Sequence, residues 1–316
     1  MDSITLIMQD HDFLQPLLCG DVVAEGVDLK IVRGNLRIAQ QDSSVPASEL
    51  SFARHVKRIS EDDHSWVAMP AFVRRGFSHR AWYVTRDSGL KSFKDLNGKR
   101  IGTNEWPATG NTWSRAAGRE QGLDIFGIDW VVGSVDGGEF AHADALPAHV
   151  RYASSEEGLV DLLLRGELDA LMCPDPPRGF YDDGSKVVRL LPDFRTAERD
   201  FYKRTGVFPA YHLAGLRKEV FDRKPSVLLS IYRALEQSRL AWSAMRLYEN
   251  DTSPWLLADL EETMQLMGHE WQPYGEAENA KTVAFLCEDM LAQRLIDRAV
   301  DPSALFSEFR ALSSAG

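Results

Sequence analysis

The chain has 316 residues, of which 44% are hydrophobic and 26% charged, and its formal net charge at pH 7 is −11. A chain of this length buries a large core and is more natural as two lobes than as one. The negative charge and the absence of a Lys/Arg-rich block argue against nucleic acid or an anionic membrane as the main partner, which leaves small molecules as the expected ligands.

Strand-like and helical patterns alternate along the chain, an order typical of mostly parallel sheets covered by helices. The first strands are predicted at residues 4–8, 27–32, 66–69 and 81–84. Residues 92–102 combine a short helical turn, a glycine turn and a new strand, which predicts the opening of a second lobe. There we expect strands at 128–132, 170–173 and 187–191, and helices at 112–121, 156–165 and 194–204.

The strand predicted at residues 210–216 returns the chain to the first lobe, and apolar periodicity predicts helices over 226–247, 254–267 and 281–296. We therefore expect an α/β protein with residues 1–90 and 206–316 in lobe 1 and residues 91–205 in lobe 2. The run Ser154-Ser155-Glu156-Glu157 fits a capping box for the helix at 156–165, and Gly166 is expected to end that helix.

The amino terminus and the cysteines indicate which cellular compartment is expected for the protein. Residues 1–8 contain no basic segment, long apolar segment or small-residue cleavage site, so the recorded chain is expected to be cytoplasmic, although a mature protein whose signal had been removed would look the same. No apolar run reaches the roughly 18 residues that a membrane span needs. Cys19, Cys173 and Cys287 are isolated, which favours reduced structural thiols over disulfides or a Cys-rich zinc site.

Two polar segments follow predicted strands. Thr109, Asn111 and Thr112 begin the helical pattern after residues 99–102, where N–H groups and the helix dipole favour an anion, although Thr109 or Asn111 is equally suited to a helix N-cap. The run Asp10-His11-Asp12 ends the first strand, at the edge where open α/β sheets bind ligands. Two acids and a histidine there suit a catechol or a divalent metal, while a local Asx turn is the simpler interpretation.

Several motifs carry a resemblance to a known family. The run at 95–102 resembles the opening of the second lobe in type II periplasmic binding proteins, which implies a ligand cleft between two lobes. More specific stretches resemble the cytoplasmic 4,5-dihydroxyphthalate decarboxylase branch of that fold. These are Arg75-Gly76-Phe77-Ser78-His79, Glu105-Trp106 with Thr109 and Trp113-Ser114-Arg115, residues 191–195 with Glu198, residues 202–212, Pro254-Trp255-Leu256 with residues 261–263, and Pro273-Tyr274-Gly275.

The chain departs from that branch at two positions, where Ser78 and Asp175 stand in place of arginine. Losing two cations weakens the case for a doubly charged phthalate as the substrate. Arg80 and Arg178 are displaced neighbours able to compensate; otherwise the substrate is a monocarboxylate or a differently substituted ring.

Decarboxylation of a hydroxylated ring without a cofactor needs a proton on the ring carbon, an acceptor for the phenol and a cation for the carboxylate. His79 is the first candidate for proton transfer, because imidazole titrates near neutral pH. Glu105, flanked by two tryptophans, and His212, beside the return to lobe 1, are the others. A hinge or surface role for His79, a capping or salt-bridge role for Glu105 and a core role for His212 are the structural alternatives.

Arg75 and Arg80 are the candidate cations for the substrate carboxylate, although their opposite strand parity keeps them from both facing one site unless a turn intervenes. The full set of candidate substrate-binding residues is Asp10, His11, Arg75, Arg80, Trp106, Thr109, Asn111, Arg178 and Tyr211.

These observations favour a decarboxylase of a small hydroxylated aromatic carboxylate that needs no organic cofactor; a divalent metal is supported by no motif. The alternatives are a solute-binding protein without catalysis and a desulfinase-like or other lyase on the same scaffold. No nucleic-acid or membrane partner is expected, and a homo-oligomer is compatible with the sequence.

Overall fold

The computed structural model describes residues 2–140, 145–154, 156–248 and 253–314. Within these ranges the strands are β1 (Asp2–Met8), β2 (Val27–Arg33), β3 (Ala47–Ser51), β4 (Trp66–Arg75), β5 (Trp82–Thr85), β6 (Arg100–Thr103), β7 (Asp129–Val132), β8 (Val150–Tyr152), β9 (Ala170–Met172), β10 (Val187–Arg189) and β11 (Ala210–Arg217). The helices are α1 (Gln15–Cys19), α2 (Leu36–Gln41), α3 (Phe52–Ser60), α4 (Thr109–Glu120), α5 (Leu159–Leu164), α6 (Phe194–Thr205), α7 (Lys218–Arg223), α8 (Ser226–Arg246), α9 (Leu256–Met267), α10 (Ala280–Ala292) and α11 (Ser307–Ser313).

The chain divides into two compact units. Unit 1 comprises Met1–Arg75, Ala210–Leu291 and Ile296–Gly316, and unit 2 comprises Gly76–Pro209 and Ala292–Leu295. Each unit contains its own sheet, so each forms its own core.

The sheet of unit 1 has the strand order β2-β1-β3-β11-β4. Strands β1, β2 and β3 run parallel, whereas β11 is antiparallel to both β3 and β4. Leu6 and Met8 alternate into the core with no solvent exposure, as a half-buried strand requires. The register Leu6↔Ala47 places the segment after β1 beside the carboxyl end of β3.

The sheet of unit 2 has the strand order β10-β5-β9-β6-β7-β8, in which β5 is the antiparallel strand within the described residues. Trp82, Trp106 and Trp130 fill its core. Gly102 on β6 lets the neighbouring chain approach closely, because a Cβ there would lie 2.8 Å from Leu171 Cδ2 and 2.9 Å from Leu168 Cδ1. The glycine of the family-like segment therefore serves packing.

The predicted boundary at residue 90 is wrong. Strand β5 pairs with β9 and β10, so the chain enters unit 2 at Gly76. The return lies at Ala210 instead of residue 206. Residues 292–295 also belong to unit 2, where Gln293 Oε1 accepts a hydrogen bond of 2.6 Å from Arg115 Nε.

The other predicted elements overlap elements of the structure, although the helix predicted at 281–296 ends at Ala292. Strands β3 and β8 were not predicted, because the polar residues of β3 show no clear alternation and β8 has only three residues. Helices α1, α2, α3, α7 and α11 were not predicted either. The capping box is wrong: α5 begins at Leu159 with Gly158 as its N-cap, and Ser155 lies outside the described residues. Gly166 ends this helix as predicted, with a positive φ of 75°. No helix in the described part of the chain has the length and apolar character to cross a membrane.

Replacing Leu6 by Ala should destabilise unit 1 by about 2–5 kcal/mol, because Leu6 is fully buried in β1 and truncation leaves a cavity. Urea denaturation followed by circular dichroism measures the loss. Ile38→Ala is the matched control, since Ile38 is 65% exposed and its truncation should change stability by less than about 0.5 kcal/mol. Equal effects of the two substitutions would contradict the assigned core.

Candidate active site

Glu49 is a carboxylate with no solvent exposure, on strand β3 of unit 1. Its Oε2 accepts a hydrogen bond of 2.9 Å from the backbone N–H of Gln9 and lies 2.9 Å from His11 Nε2. Its Oε1 contacts His212 Nδ1. A buried charge is tolerated only when it is paired and hydrogen-bonded, and here both carboxylate oxygens are engaged.

Three separate strands bring these groups together. Gln9 and His11 directly follow β1, which lies parallel to β3, and His212 lies on β11, which pairs with β3 on its other side. The register partner of His212 on β3 is Ser51. The His11 ring stacks on Phe13 with their centroids 5.3 Å apart, and this contact orients the imidazole.

The electrostatics of the cluster favour an ionised carboxylate. Burial by itself raises the pKa of Glu49, but the hydrogen bonds and charge of His11 and His212 outweigh it and hold that pKa at about 2. An ionised carboxylate only accepts hydrogen bonds. A neutral ring bonded in this way carries its proton on the nitrogen that faces Glu49, which is Nε2 of His11 and Nδ1 of His212, and the other ring nitrogen of each remains for other chemistry.

Those remaining nitrogens make no hydrogen bond to any described residue. The histidine side chains are 10% and 16% exposed, for His11 and His212 respectively, whereas Glu49 is fully covered. A carboxylate that fixes the tautomer of an imidazole is the arrangement that hydrolases use to prepare a general acid or base. Here one carboxylate holds two imidazoles, which allows one group to give a proton while the other accepts one.

The hydrogen bonds continue from Glu49 to an arginine. Gln9, whose backbone binds Glu49, accepts a hydrogen bond of 2.9 Å at its side-chain Oε1 from Arg74 Nη1. Arg74 lies near the end of β4, where its register partner on β11 is His212.

The structure thus brings together two of the predicted site residues, His11 and His212. Asp10 is exposed and forms an ion pair with Arg33, with the Arg33 Nε to Asp10 Oδ1 distance 2.8 Å. Tyr211 is half-buried on β11 where the pairing with β4 is irregular. Among the described residues, no group of three or more His, Cys, Asp or Glu side chains has an arrangement suited to a metal ion.

Arg75 points to a different part of unit 1. Its Nη2 donates to the carbonyl of Pro273 at 3.0 Å and contacts Asn279 Oδ1, and its guanidinium lies 4.8 Å from the Phe72 ring centroid. These contacts hold the 273–279 segment against β4. They do not support the predicted role of Arg75 on a substrate carboxylate.

In unit 2, His79 is buried in the 3-10 turn His79–Ala81. Its ring centroid lies 5.4 Å from that of Phe201 and 6.3 Å from that of Phe93, and neither ring nitrogen has a hydrogen bond within the described residues. Burial lowers the pKa of His79 from 6.5 to about 4, so the ring is neutral at pH 7. Its predicted proton transfer stays a prediction without support from this geometry.

The turn of unit 2 that was predicted to bind an anion is closed by hydrogen bonds among its own residues. Asn111 Nδ2 lies 3.1 Å from Thr103 Oγ1, 2.9 Å from Asn104 Oδ1 and 2.5 Å from the Glu105 carbonyl. Helix α4 begins at Thr109 and its N-cap is Ala108, so the N-cap alternative for Thr109 and Asn111 is wrong. These bonds fix the turn and leave its ligand role untested.

Trp106 packs in the core, with its ring centroid 5.3 Å from that of Trp130 and 4.0 Å from the Arg115 guanidinium. Trp106 is therefore better placed to stabilise the core than to stack on a ligand. Arg178 is exposed and its Nη2 lies 3.3 Å from Asp161 Oδ1, an ion pair of the surface.

Residues 78–80 lie beside helix α6. Ser78 is buried, and the exposed Arg80 gives its backbone N–H to Glu198, whose pKa burial raises to about 7. Oε1 of this carboxyl has no partner in the described residues. Asp175, the second position that departs from the family pattern, is exposed.

Glu49, Gln9 and Arg74 were missed by the sequence reading. Glu49 is a charged residue in the undetected strand β3, and the segment Ala47–Ser51 shows no clear alternation. A signal was present for Arg74: it precedes Arg75 in β4, and strand alternation requires the two side chains to point to opposite sides.

Replacing Glu49 by Gln should reduce the free energy of unfolding by on the order of 3 kcal/mol at pH 7, because the pKa of Glu49 falls from 4.5 unfolded to about 2 folded. A carboxyl whose pKa is lowered by folding stabilises the folded protein at pH values above its unfolded pKa. This stabilisation is lost as the pH falls toward the folded pKa. The difference in free energy of unfolding between the wild-type protein and Glu49→Gln should therefore narrow from pH 5 toward pH 3. Urea titrations over this range measure it, and a difference independent of pH would contradict an ionised Glu49.

Replacing His79 by Leu should stabilise the protein by about 1–3 kcal/mol at pH 7, because the buried imidazole lacks hydrogen-bond partners in the described residues. The unfolded chain takes up a proton near pH 6.5 that folded His79 binds only near pH 4, so the advantage should grow as pH falls through that window. Thermal unfolding from pH 4 to 8 measures it. Loss of stability with loss of catalytic turnover would restore His79 as a site residue.

Two solved structures share the fold over almost the whole chain. The periplasmic aliphatic sulphonate binding protein SsuA from Escherichia coli aligns with a TM-score of 0.54 at 13% identity, covering 96% of this chain and 91% of that one. The desulfurization enzyme DSZB aligns with a TM-score of 0.51 at 15% identity, covering 98% and 99%. At such identities the likeness shows the fold alone, which is that of type II periplasmic binding proteins, as expected.

No family model matches the chain. A 4,5-dihydroxyphthalate decarboxylase of Comamonas testosteroni is 31% identical over 318 residues, which cover 96% of this chain and 96% of the relative. A protein of the same name from Pseudomonas putida is 30% identical over 212 residues, which cover 64% of this chain and 81% of the relative. The chain therefore belongs to the 4,5-dihydroxyphthalate decarboxylase family.

Proposed function

We propose that this protein is a non-oxidative decarboxylase of a small hydroxylated aromatic carboxylate, with His11, His212 and Glu49 as its proton-transfer group. The observation that carries the reaction class is the similarity to the Comamonas decarboxylase along nearly the full length of both chains. The geometry of unit 1 supports the site, because two partly exposed imidazoles share one buried carboxylate.

The reaction needs proton transfer in two places. Direct loss of carbon dioxide leaves an aryl carbanion, which is costly. A proton added to the ring carbon that bears the carboxylate, while a para hydroxyl loses its own proton, gives a dienone. The carbon–carbon bond then breaks, its electron pair restores the aromatic ring, carbon dioxide leaves, and the phenolate oxygen takes back a proton. The net change is one proton taken up for each carbon dioxide released.

The two imidazoles supply these roles. One delivers the proton to the ring carbon from its outer nitrogen, and the other accepts the phenol proton and later returns it. Glu49 keeps each imidazole in one orientation and stabilises its protonated form, because the ionised carboxylate lies against both rings. No step uses an organic cofactor or a metal ion in this proposal.

The departures at Ser78 and Asp175 affect the choice of substrate rather than the reaction. We propose a hydroxylated aromatic carboxylate as the substrate class, of which 4,5-dihydroxyphthalate is the member that the names of the relatives indicate. A monocarboxylate such as a dihydroxybenzoate fits the same chemistry.

Incubation of the purified protein with 4,5-dihydroxyphthalate and a panel of hydroxybenzoates, with and without chelator, should release carbon dioxide and change the ring absorbance. His11→Gln and His212→Gln should each lower kcat about 10²–10⁴-fold, the usual contribution of a positioned acid or base. The pH profile of kcat should lose one limb in each variant, and the limb that disappears identifies the acid and the base.

His64→Gln is the matched control, since His64 is an exposed histidine of the same unit and its replacement should leave kcat unchanged. Tight ligand binding without turnover of any compound would favour the solute-binding alternative, as would recovery of the protein from a secreted fraction. Turnover that survives in both histidine variants would remove the assigned group.

A further inference from the structure

We infer that Arg74 binds the carboxylate of the substrate, and that the site therefore selects aromatic acids over neutral phenols. This inference rests on the proposed function and deepens it by naming the group that recognises the anion. Arg74 was not among the candidate residues of the sequence, which pointed to Arg75 and Arg80.

The position of Arg74 places it at the proton-transfer group. It lies on β4 with His212 as its register partner on the adjacent antiparallel strand β11, at a bulged part of the pairing that brings the two residues opposite each other. Two hydrogen bonds also connect it to Glu49: Arg74 Nη1 to Gln9 Oε1 at 2.9 Å, and the Gln9 backbone N–H to Glu49 Oε2 at 2.9 Å.

The guanidinium of Arg74 retains most of its donors. Of the five N–H groups that an arginine carries, the bond to Gln9 uses one, and the side chain makes no ion pair with any residue the structure describes. Its side chain is half-buried, so a bound carboxylate is screened less by water than one on an open surface. The planar fork of remaining donors suits both oxygens of one carboxylate.

Neighbouring arginines of unit 1 are engaged differently. Arg75 donates to Pro273 and Asn279, and Arg33 pairs with the exposed Asp10. Gln9 is uncharged, so it orients the Arg74 guanidinium without neutralising it. Glu49, the nearby acid, is already bonded by two histidines and a backbone N–H.

The test compares two ligands that differ by a carboxylate, 3,4-dihydroxybenzoate and catechol, in titration calorimetry. Ring absorbance recorded in parallel measures any turnover of the acid, so that its heat is separated from the heat of binding. The wild-type protein should bind the dihydroxybenzoate at least about 10-fold more tightly than catechol, as a charge-assisted bidentate contact implies. Arg74→Gln should weaken binding of the dihydroxybenzoate about 10–100-fold and leave catechol binding within about twofold.

Arg74→Lys keeps the charge but loses the planar fork, so it should retain an intermediate preference for the acid, and it serves as the test if Arg74→Gln does not fold by circular dichroism. Arg223→Gln is the control for loss of one positive charge, because Arg223 is exposed on α7 in the same unit, and the preference should persist in it.

A carboxylate preference that persists in Arg74→Gln, or one that is absent from the wild-type protein, would overturn the inference. Because binding is measured apart from turnover, a protein that binds the acid through Arg74 but releases no carbon dioxide would refute the proposed function alone. A protein that turns substrate over without dependence on Arg74 would refute this inference alone.

Discussion

The burial of the Glu49 charge is the constraint on which the candidate site depends. A carboxylate without solvent exposure is stable in its ionised form only if donors replace the water that it lost, and the donors come from the segment after β1 and from β11. The strand order of unit 1 places β3 between β1 and β11, so all three donors reach one side chain. A shift of one residue in either pairing would turn Glu49 or a histidine to the opposite face of the sheet and leave a buried charge unpaired.

The same constraint explains how the two imidazoles are oriented. Glu49 accepts a hydrogen bond from one nitrogen of each partly exposed ring, which defines the tautomer of a neutral ring and leaves its other nitrogen unbonded within the described residues. Gln9 extends this order to Arg74, because its backbone binds the carboxylate while its side chain binds the guanidinium. Structural hydrogen bonds and the proposed chemistry thus use the same residues.

In unit 2, several side chains that could take part in ligand binding or catalysis are instead bonded or packed within the unit itself. Asn111 closes its own turn, Trp106 and Arg115 pack on each other, and His79 lies among aromatic rings. Buried polar groups of this kind mainly stabilise local structure, and sequence patterns do not distinguish them from ligand groups. These residues lie in the motifs that resemble the family, but the contacts they make within unit 2 are those of a folded core.

The sequence by itself determined the α/β class, the alternation of strands and helices and the family, because these depend on local periodicity, turn residues and short motifs. It also identified His11 and His212 as polar residues near strand ends. Only the tertiary structure decided that they meet at Glu49, that Arg74 is linked to this cluster through Gln9, and that Arg75 binds Pro273 and Asn279 instead. The reason is physical: hydrogen bonds between residues separated by 38 and 163 positions depend on strand order and register, which a single strand's pattern does not encode.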